Sequence, residues 1–163
     1  PHNHLSIMDF QRDTYFTAFY HLTFSTKHRL RLLTPRVQLV LQRYIVAYCK
    51  DQKVKLLIVN GVRDHIHLLF FVGSPAFDLP GFVRELKKST NKLCNSELGY
   101  KGQFAWQSGY FAHALGRDRV DSCYKYIKDQ QKHHIGMTFA EEWEMMKEAY
   151  EKDLSTVANH LEE

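Results

Sequence analysis

Apolar side chains occupy every second position near the start of the chain, over residues 15–26. Side chains at alternate positions of an extended chain point to the same side, so this period is typical of a β-strand with one buried face. We therefore expect the first strand at residues 15–26. The alternating positions are Phe16, Ala18, Tyr20, Leu22 and Phe24.

Three further segments predict strands. The apolar runs at residues 54–60 and 65–72 are separated by a short turn, so they predict an antiparallel hairpin. Residues 103–115 are rich in aromatic side chains, and the second half of this segment predicts a fourth strand.

Helical periodicity lies between these strands. Thr34 followed by Pro35 is typical of a helix start, and apolar residues then recur at spacings of three and four up to Asp51. The same spacing predicts a second helix from Pro80 to near Gly99. Strand, helix, strand, strand, helix, strand is the order of the ferredoxin-like split βαβ fold. This is an α+β fold, an antiparallel sheet with helices on one face.

Two added C-terminal helices are predicted after the last strand. One covers residues 118–135, and the other covers residues 138–154. Thr138 and Glu141 have the spacing of a capping box at the start of the second helix. The apolar stripe of the first helix consists of Val120, Cys123, Tyr124 and Ile127.

The composition limits the class of protein. The chain has 163 residues, of which 44% are hydrophobic and 25% charged, which indicates one folded domain. We expect that domain at residues 15–154, with a tail containing a tag remnant at residues 1–14 and a frayed tail at residues 155–163. No apolar stretch is long enough for a bilayer, so we expect no membrane partner and a cytoplasmic location. The three cysteines are scattered and indicate neither a disulfide framework nor a zinc knuckle.

A His-x-His motif lies in the third predicted strand. His65 and His67 are two apart, so both imidazoles point to the same face while Ile66 points to the other. Adjacent imidazoles suit a divalent metal. For an isolated motif, however, a pair of satisfied polar side chains on a half-exposed sheet is the commoner explanation.

Tyr126 and Gln130 are four residues apart in the first added helix, which would place them on one face. A phenol is a competent nucleophile towards phosphorus and forms a phosphotyrosine, and an amide oxygen can add a metal ligand. Packing is the commoner role of a tyrosine beside an apolar stripe, and Tyr124 is the better candidate for the core.

The charge is mildly basic, with a net charge of +4 and a pI near 8.9, which is compatible with a polyanionic partner. Basic residues cluster on the outward side of the second helix and in the loop after the first strand. A solvated charged face is an equally simple explanation for the helical cluster. The candidate DNA-binding residues are Lys27, Arg29, Arg31, Arg84, Lys87, Lys88 and Lys92.

Together these features resemble the HUH-type single-tyrosine transposases, the insertion sequence 200-like (IS200/IS605) family. The resemblance covers residues 15–150 and includes acidic Glu141 and Glu142. It rests on four segments: HLTFSTK at residues 21–27, DHIHLL at 64–69, WQSGYF at 106–111 and YIKDQQKHH at 126–134.

The resemblance implies a mechanism and partners. His65 and His67 would bind Mg²⁺ or Mn²⁺ with Gln130 as a further ligand, and Tyr126 would attack a DNA phosphate to give a 5′-phosphotyrosine. The substrate would be single-stranded DNA with hairpins near the element ends. A homodimer with possible shared active sites, in a bacterial or archaeal cytoplasm, is also implied.

Three other interpretations stay open at this point. A non-catalytic module could bind single-stranded nucleic acid by stacking. A domesticated relative could nick hairpins without mobilising its own gene. A metallohydrolase could use the histidines to activate water, and it would cleave without a covalent adduct.

Overall fold

Four strands form one antiparallel sheet in the computed structural model, which describes residues 14–161 and, of their side chains, those up to residue 152. The strands lie in the order β2-β3-β1-β4, and each neighbouring pair is antiparallel. The predicted α+β fold is confirmed, with its antiparallel sheet, its helices on one face and its added C-terminal helices. The strands are β1 Ala18–Ser25, β2 Lys55–Gly61, β3 His65–Val72 and β4 Phe111–Leu115.

Two helices, α1 at Pro35–Asp51 and α2 at Leu79–Glu97, form the hydrophobic core with one face of the sheet. The hydroxyl of Thr34 accepts a hydrogen bond from the Val37 N–H at 3.3 Å, which confirms the predicted start of α1. In the two central strands, β1 and β3, every second side chain points into this core. These side chains include Leu22, Phe24, Ile66, Leu68 and Phe70.

The opposite face of the sheet carries a group of buried polar side chains. A third helix, α3 at Val120–Lys128, lies against β2 and β3. Buried polar side chains need hydrogen-bond partners or a functional role. The two central strands contribute His21, Thr23, Ser25, His65 and His67 to this face, which we term the histidine face.

The prediction of one continuous helix over residues 118–135 is wrong. A single 3-10 turn at Arg117–Arg119 precedes α3, and α3 ends at Lys128. Asp129 has φ −94° and ψ 17°, outside helical geometry, and a short helix α4 follows at Gln130–His133. Aspartate is a poor helix former because its side chain competes for nearby backbone groups, which accounts for the break.

The predicted apolar stripe of this helix is wrong at one position. Val120, Cys123 and Ile127 are buried, as expected from their spacing of three and four residues. Tyr124 is 42% exposed, whereas Tyr126 is half-buried. The nine-residue α3 presents a narrow apolar face, and Tyr124 falls outside it.

The chain divides into two compact units, one ending at Gln130 and the other beginning at Gln131. In the second unit, helix α5 at Phe139–Leu161 continues beyond the predicted end at residue 154. The capping box is confirmed, because the Glu141 carboxylate accepts from the Thr138 N–H at 2.9 Å and the Thr138 hydroxyl accepts from the Glu141 N–H at 3.3 Å.

Residues 1–13 and 162–163 lie outside the described part of the chain, so most of the expected N-terminal tail does too. The single domain at residues 15–154 and the frayed tail at 155–163 stay predictions. Within residues 14–161, the helices all lack the combination of length and apolar character that a bilayer span requires.

Candidate active site

The two histidines of the His-x-His motif lie side by side on β3. His65 is paired with Ser25 of β1, and His67 with Thr23. Both histidines are 0% exposed, and their ring centroids are 5.1 Å apart. The alternation of β3 therefore brings both imidazoles to the histidine face, away from the hydrophobic core.

Each imidazole is held at its Nδ1 atom. His65 Nδ1 lies 2.7 Å from the Asp64 carboxylate. His67 Nδ1 lies 2.5 Å from the Thr23 hydroxyl and 2.9 Å from Nε2 of His21. When Nδ1 of a histidine donates its proton to such a partner, Nε2 keeps the lone pair that can coordinate a metal.

Tyr126 comes close to these histidines. Its ring centroid lies 5.8 Å from that of His67 and 6.3 Å from that of His21, edge-on in both cases. All three residues belong to the first compact unit. The fold therefore brings a phenol and two of the buried imidazoles together within one chain.

A strand residue fixes the end of the helix that carries Tyr126. The side-chain amide of Asn60, in β2, donates to the Ile127 carbonyl at 2.9 Å and to the Lys128 carbonyl at 3.2 Å. Asn60 is also the strand partner of His67. This side chain therefore links the C-terminus of α3 to the strand pair that holds the imidazoles.

Gly61 makes the hairpin tight beside His65. A Cβ at residue 61 would lie 2.6 Å from the carbonyl oxygen of His65 and 2.9 Å from the Ile66 side chain. Such distances are shorter than van der Waals contact, so a larger residue would push β3 away. The glycine thus helps to set the position of the His-x-His motif.

Gln130 is buried, but it does not share a helix with Tyr126. Helix α3 ends at Lys128, and Gln130 is the first residue of α4. Its predicted role as a ligand therefore no longer follows from helical periodicity. It rests on its burial and on its position two residues after α3.

The donor set fits a divalent cation. Imidazole nitrogens and a carboxamide oxygen are ligands that Mn²⁺ and Mg²⁺ accept, and three such ligands leave coordination positions open. The contact of His65 with the Asp64 carboxylate is the outer-shell arrangement that orients metal-binding histidines.

The family profile described as "Transposase IS200 like" matches residues 14–130, which contain the whole arrangement just described. This chain belongs to that transposase family. The match ends at Gln130, where the first compact unit also ends. A comparison with curated proteins gives no match.

Two solved structures share the fold of this transposase. One is described as a candidate transposase from Deinococcus radiodurans R1, with 23% identity, a TM-score of 0.60 and coverage of 76% of this chain and 98% of that chain. The other is described as a REP-associated tyrosine transposase bound to a REP hairpin, with 20% identity, a TM-score of 0.59 and coverage of 80% of this chain and 76% of that chain.

Of the candidate DNA-binding residues of the transposase, six have exposed side chains and one does not. The exception is Lys87, whose ammonium donates to the Gln107 carbonyl at 2.8 Å and to the Gly109 carbonyl. It also lies 5.3 Å from the centre of the Phe24 ring, and burial lowers its pKa. The exposed six are Lys27, Arg29, Arg31, Arg84, Lys88 and Lys92.

The basic loop after β1 is joined to the loop before β4. The Lys27 N–H donates to the Ala105 carbonyl at 2.9 Å, and the His28 N–H donates to the Gln107 side-chain oxygen at 3.2 Å. His28 and Arg29 have φ values of 57° and 55°, which cost on the order of 1 kcal/mol each for residues other than glycine. The two loops therefore form one surface next to α2.

Sequence reasoning missed the roles of His21, Thr23 and Asn60. The signal for the first two was their position on β1, because they alternate with the core residues Leu22 and Phe24 and so face the other side. Their contact with His67 depends on the register between β1 and β3, which the sequence pattern does not reveal.

The acidic residues implied by the family resemblance have different environments in the second unit. Glu141 is exposed and caps α5. Glu142 is buried, and its carboxylate contacts Nε2 of His134, while His134 Nδ1 lies 2.8 Å from the Met137 carbonyl. The second glutamate is therefore part of a partly buried pair at the start of α5.

Proposed function

We propose that this transposase cuts and rejoins single-stranded DNA at hairpin-flanked element ends, through a 5′-phosphotyrosine on Tyr126. The observation that carries the proposal is the 5.8 Å separation between the rings of Tyr126 and His67 inside one compact unit. A nucleophile must lie within a few ångströms of the group that activates its target.

In this proposal His65 and His67 hold Mg²⁺ or Mn²⁺ through Nε2, and the Gln130 carboxamide is the third protein ligand. The bound ion would polarise the scissile phosphate and offset its negative charge. Asp64 and Thr23 orient the two imidazoles, and Asn60 holds the end of the tyrosine helix beside them.

The chemical step conserves the phosphodiester energy. The Tyr126 oxygen attacks phosphorus as its proton is lost, an oxygen–phosphorus bond forms, and the bond to the 3′ oxygen breaks. The 3′ oxygen leaves and takes up a proton. A 3′-hydroxyl of another strand reverses the step and is joined, so no nucleotide cofactor is needed.

The two histidines are fully buried, and Tyr126 beside them is half-buried. The six exposed cations around α2 and the joined loops supply a surface for the phosphate backbone. The structural relative bound to a REP hairpin supports hairpin DNA as the substrate. We further propose a homodimer with possible shared sites, acting in the bacterial or archaeal cytoplasm where that DNA resides.

Cleavage of an end-labelled single-stranded hairpin in Mg²⁺ tests the proposal. The wild-type protein and Tyr124→Phe are expected to cleave it and to transfer the 5′ end held on Tyr126 to the 3′-hydroxyl of a second strand. Tyr126→Phe is expected to bind but not cleave.

Each rival predicts a different outcome. A wild-type protein that binds without cleaving is a nucleic-acid-binding module. Cleavage by Tyr126→Phe with no protein-linked DNA identifies a metallohydrolase. Cleavage without joining identifies a hairpin-nicking relative.

A further inference from the structure

We propose that His21 and Thr23 are positioning residues that hold the proton of His67 on Nδ1, and so keep its Nε2 available for the metal. The inference rests on the proposed function, because it takes His67 to be a metal ligand. It assigns a role to a third buried histidine outside the His-x-His motif.

The observation is a three-membered contact around one ring nitrogen. Nδ1 of His67 lies 2.5 Å from the Thr23 hydroxyl and 2.9 Å from Nε2 of His21, and these last two atoms are 3.4 Å apart. The imidazoles of His21 and His67 are stacked, with centroids 5.2 Å apart. The side chains of His21, Thr23 and His67 are each at most 1% exposed.

Proton positions in this cluster decide whether His67 can bind a metal. A neutral imidazole has one N–H and one nitrogen lone pair, and only the nitrogen with the lone pair can coordinate. With the proton on Nδ1, His67 donates to Thr23, and the Thr23 hydroxyl donates to His21 Nε2. If the hydrogen bonds ran the other way, from His21 Nε2–H to Thr23 and from the Thr23 hydroxyl to His67 Nδ1, the proton of His67 would be on Nε2 and would block coordination there.

The strand register explains why these residues are positioned for this task. Thr23 is the direct partner of His67 in the β1–β3 pair, and His21 is the next residue on the same face of β1. His21 also lies edge-on to the Tyr126 ring. The same side chain therefore supports the orientation of His67 and packs beside the phenol.

The test uses Thr23→Val and His21→Leu, which remove the hydrogen-bonding atoms at similar volume. Thr23→Ser keeps the hydroxyl and reports on folding in the same position. Thr90→Val is a matched control, because Thr90 is also fully buried and hydrogen bonded but lies in α2, on the other side of the sheet.

Two measurements are made on each folded variant. Mn²⁺ titration followed by electron paramagnetic resonance is expected to show roughly 10- to 100-fold weaker binding for Thr23→Val and His21→Leu, the usual effect of losing an outer-shell partner. Thr23→Ser and Thr90→Val are expected to bind like the wild type. In the metal-free wild type, nitrogen-15 NMR is expected to place the His67 proton on Nδ1.

The inference is overturned if His67 of the metal-free wild type carries its proton on Nε2. It is also overturned if Thr23→Val and His21→Leu bind Mn²⁺ as tightly as the wild type. A wild type that binds no Mn²⁺ refutes the metal site of the proposed function, and the NMR result on metal-free protein still decides the tautomer.

Discussion

The ring of Tyr126 stands edge-on to the imidazole of His67, with 5.8 Å between centroids and 88° between planes. The tyrosine lies on α3 and the histidine on β3, so the sheet and a helix after its last strand must pack before the two can meet. Contacts that fix α3 should therefore affect chemistry more than DNA binding.

Asn60→Ala is expected to slow cleavage. The side chain holds the last turn of α3 through two hydrogen bonds, and a displacement of the helix of about 1 Å would cost up to about 100-fold in rate. We expect a 10- to 100-fold lower single-turnover cleavage rate, with DNA affinity changed less than about threefold.

Asn95→Ala is the matched control for that measurement. Asn95, in α2, also forms hydrogen bonds with backbone groups, but its partners are Gly102 and Phe104 in the loop after α2. Each substitution is expected to lower the free energy of unfolding by about 1–3 kcal/mol. An equal loss of cleavage rate in both variants would contradict the role of Asn60 in placing Tyr126.

Lys87→Met and Lys88→Met are expected to differ in their salt dependence. The exposed Lys88 can neutralise a phosphate, so its loss should reduce the slope of log affinity against log salt concentration by about 0.7 for single-stranded DNA. Lys87 already donates to two carbonyls of the loop before β4, so its replacement should leave that slope unchanged.

The free energy of unfolding should be affected more by Lys87→Met than by Lys88→Met, the opposite of the effect on the salt dependence. Losing the Lys87 bonds is expected to lower the free energy of unfolding by about 1–2 kcal/mol, and Lys88→Met should change it by less than about 0.5 kcal/mol. Urea unfolding measures both values. A reduced salt slope for Lys87→Met would show that Lys87 contacts DNA directly.

The sequence pattern was sufficient for the sheet and for α1 and α2. Alternation identified Leu22 and Phe24 as core residues, and the Thr34-Pro35 pair identified the start of α1. These features are local, because strand period and helix caps depend on neighbouring residues. The His-x-His motif could be placed on one face by the same reasoning.

Features that depend on tertiary packing could not be predicted from the sequence pattern. The helix break at Asp129 separates Tyr126 from Gln130. A single residue of modest helix propensity is too weak a signal to predict such a break from the sequence. The partners of His67 depend on strand register, and the exposure of Tyr124 depends on how α3 meets the sheet. Tertiary contacts decided all three.

Alkaline pH is expected to destabilise the protein through its buried thiols. Burial raises the pKa of Cys49, Cys94 and Cys123 from 9.0 to about 12. The folded state thus keeps protons that the unfolded state releases above pH 9, so stability falls as the pH rises from about 9 towards 12. At pH 10 each thiol should cost about 1.4 kcal/mol relative to neutral pH.

Urea unfolding of the wild type and Cys94→Ala at pH 7 and pH 10 isolates one thiol. The variant is expected to be less stable at pH 7 but to lose about 1.4 kcal/mol less between the two pH values, because it has one titrating group fewer. Equal losses would show that the Cys94 thiol ionises with an ordinary pKa in the folded protein.

Peptide mapping of the covalent protein–DNA adduct tests the central claim most directly. Trypsin cleaves after Lys125, so Tyr126 falls in the peptide 126–128 and Tyr124 in the peptide 120–125. After incubation with a single-stranded hairpin and Mg²⁺, mass spectrometry should find the 5′-phosphate of the DNA attached to the peptide 126–128. Attachment to the peptide 120–125, or cleavage with no protein-linked DNA, would contradict the account.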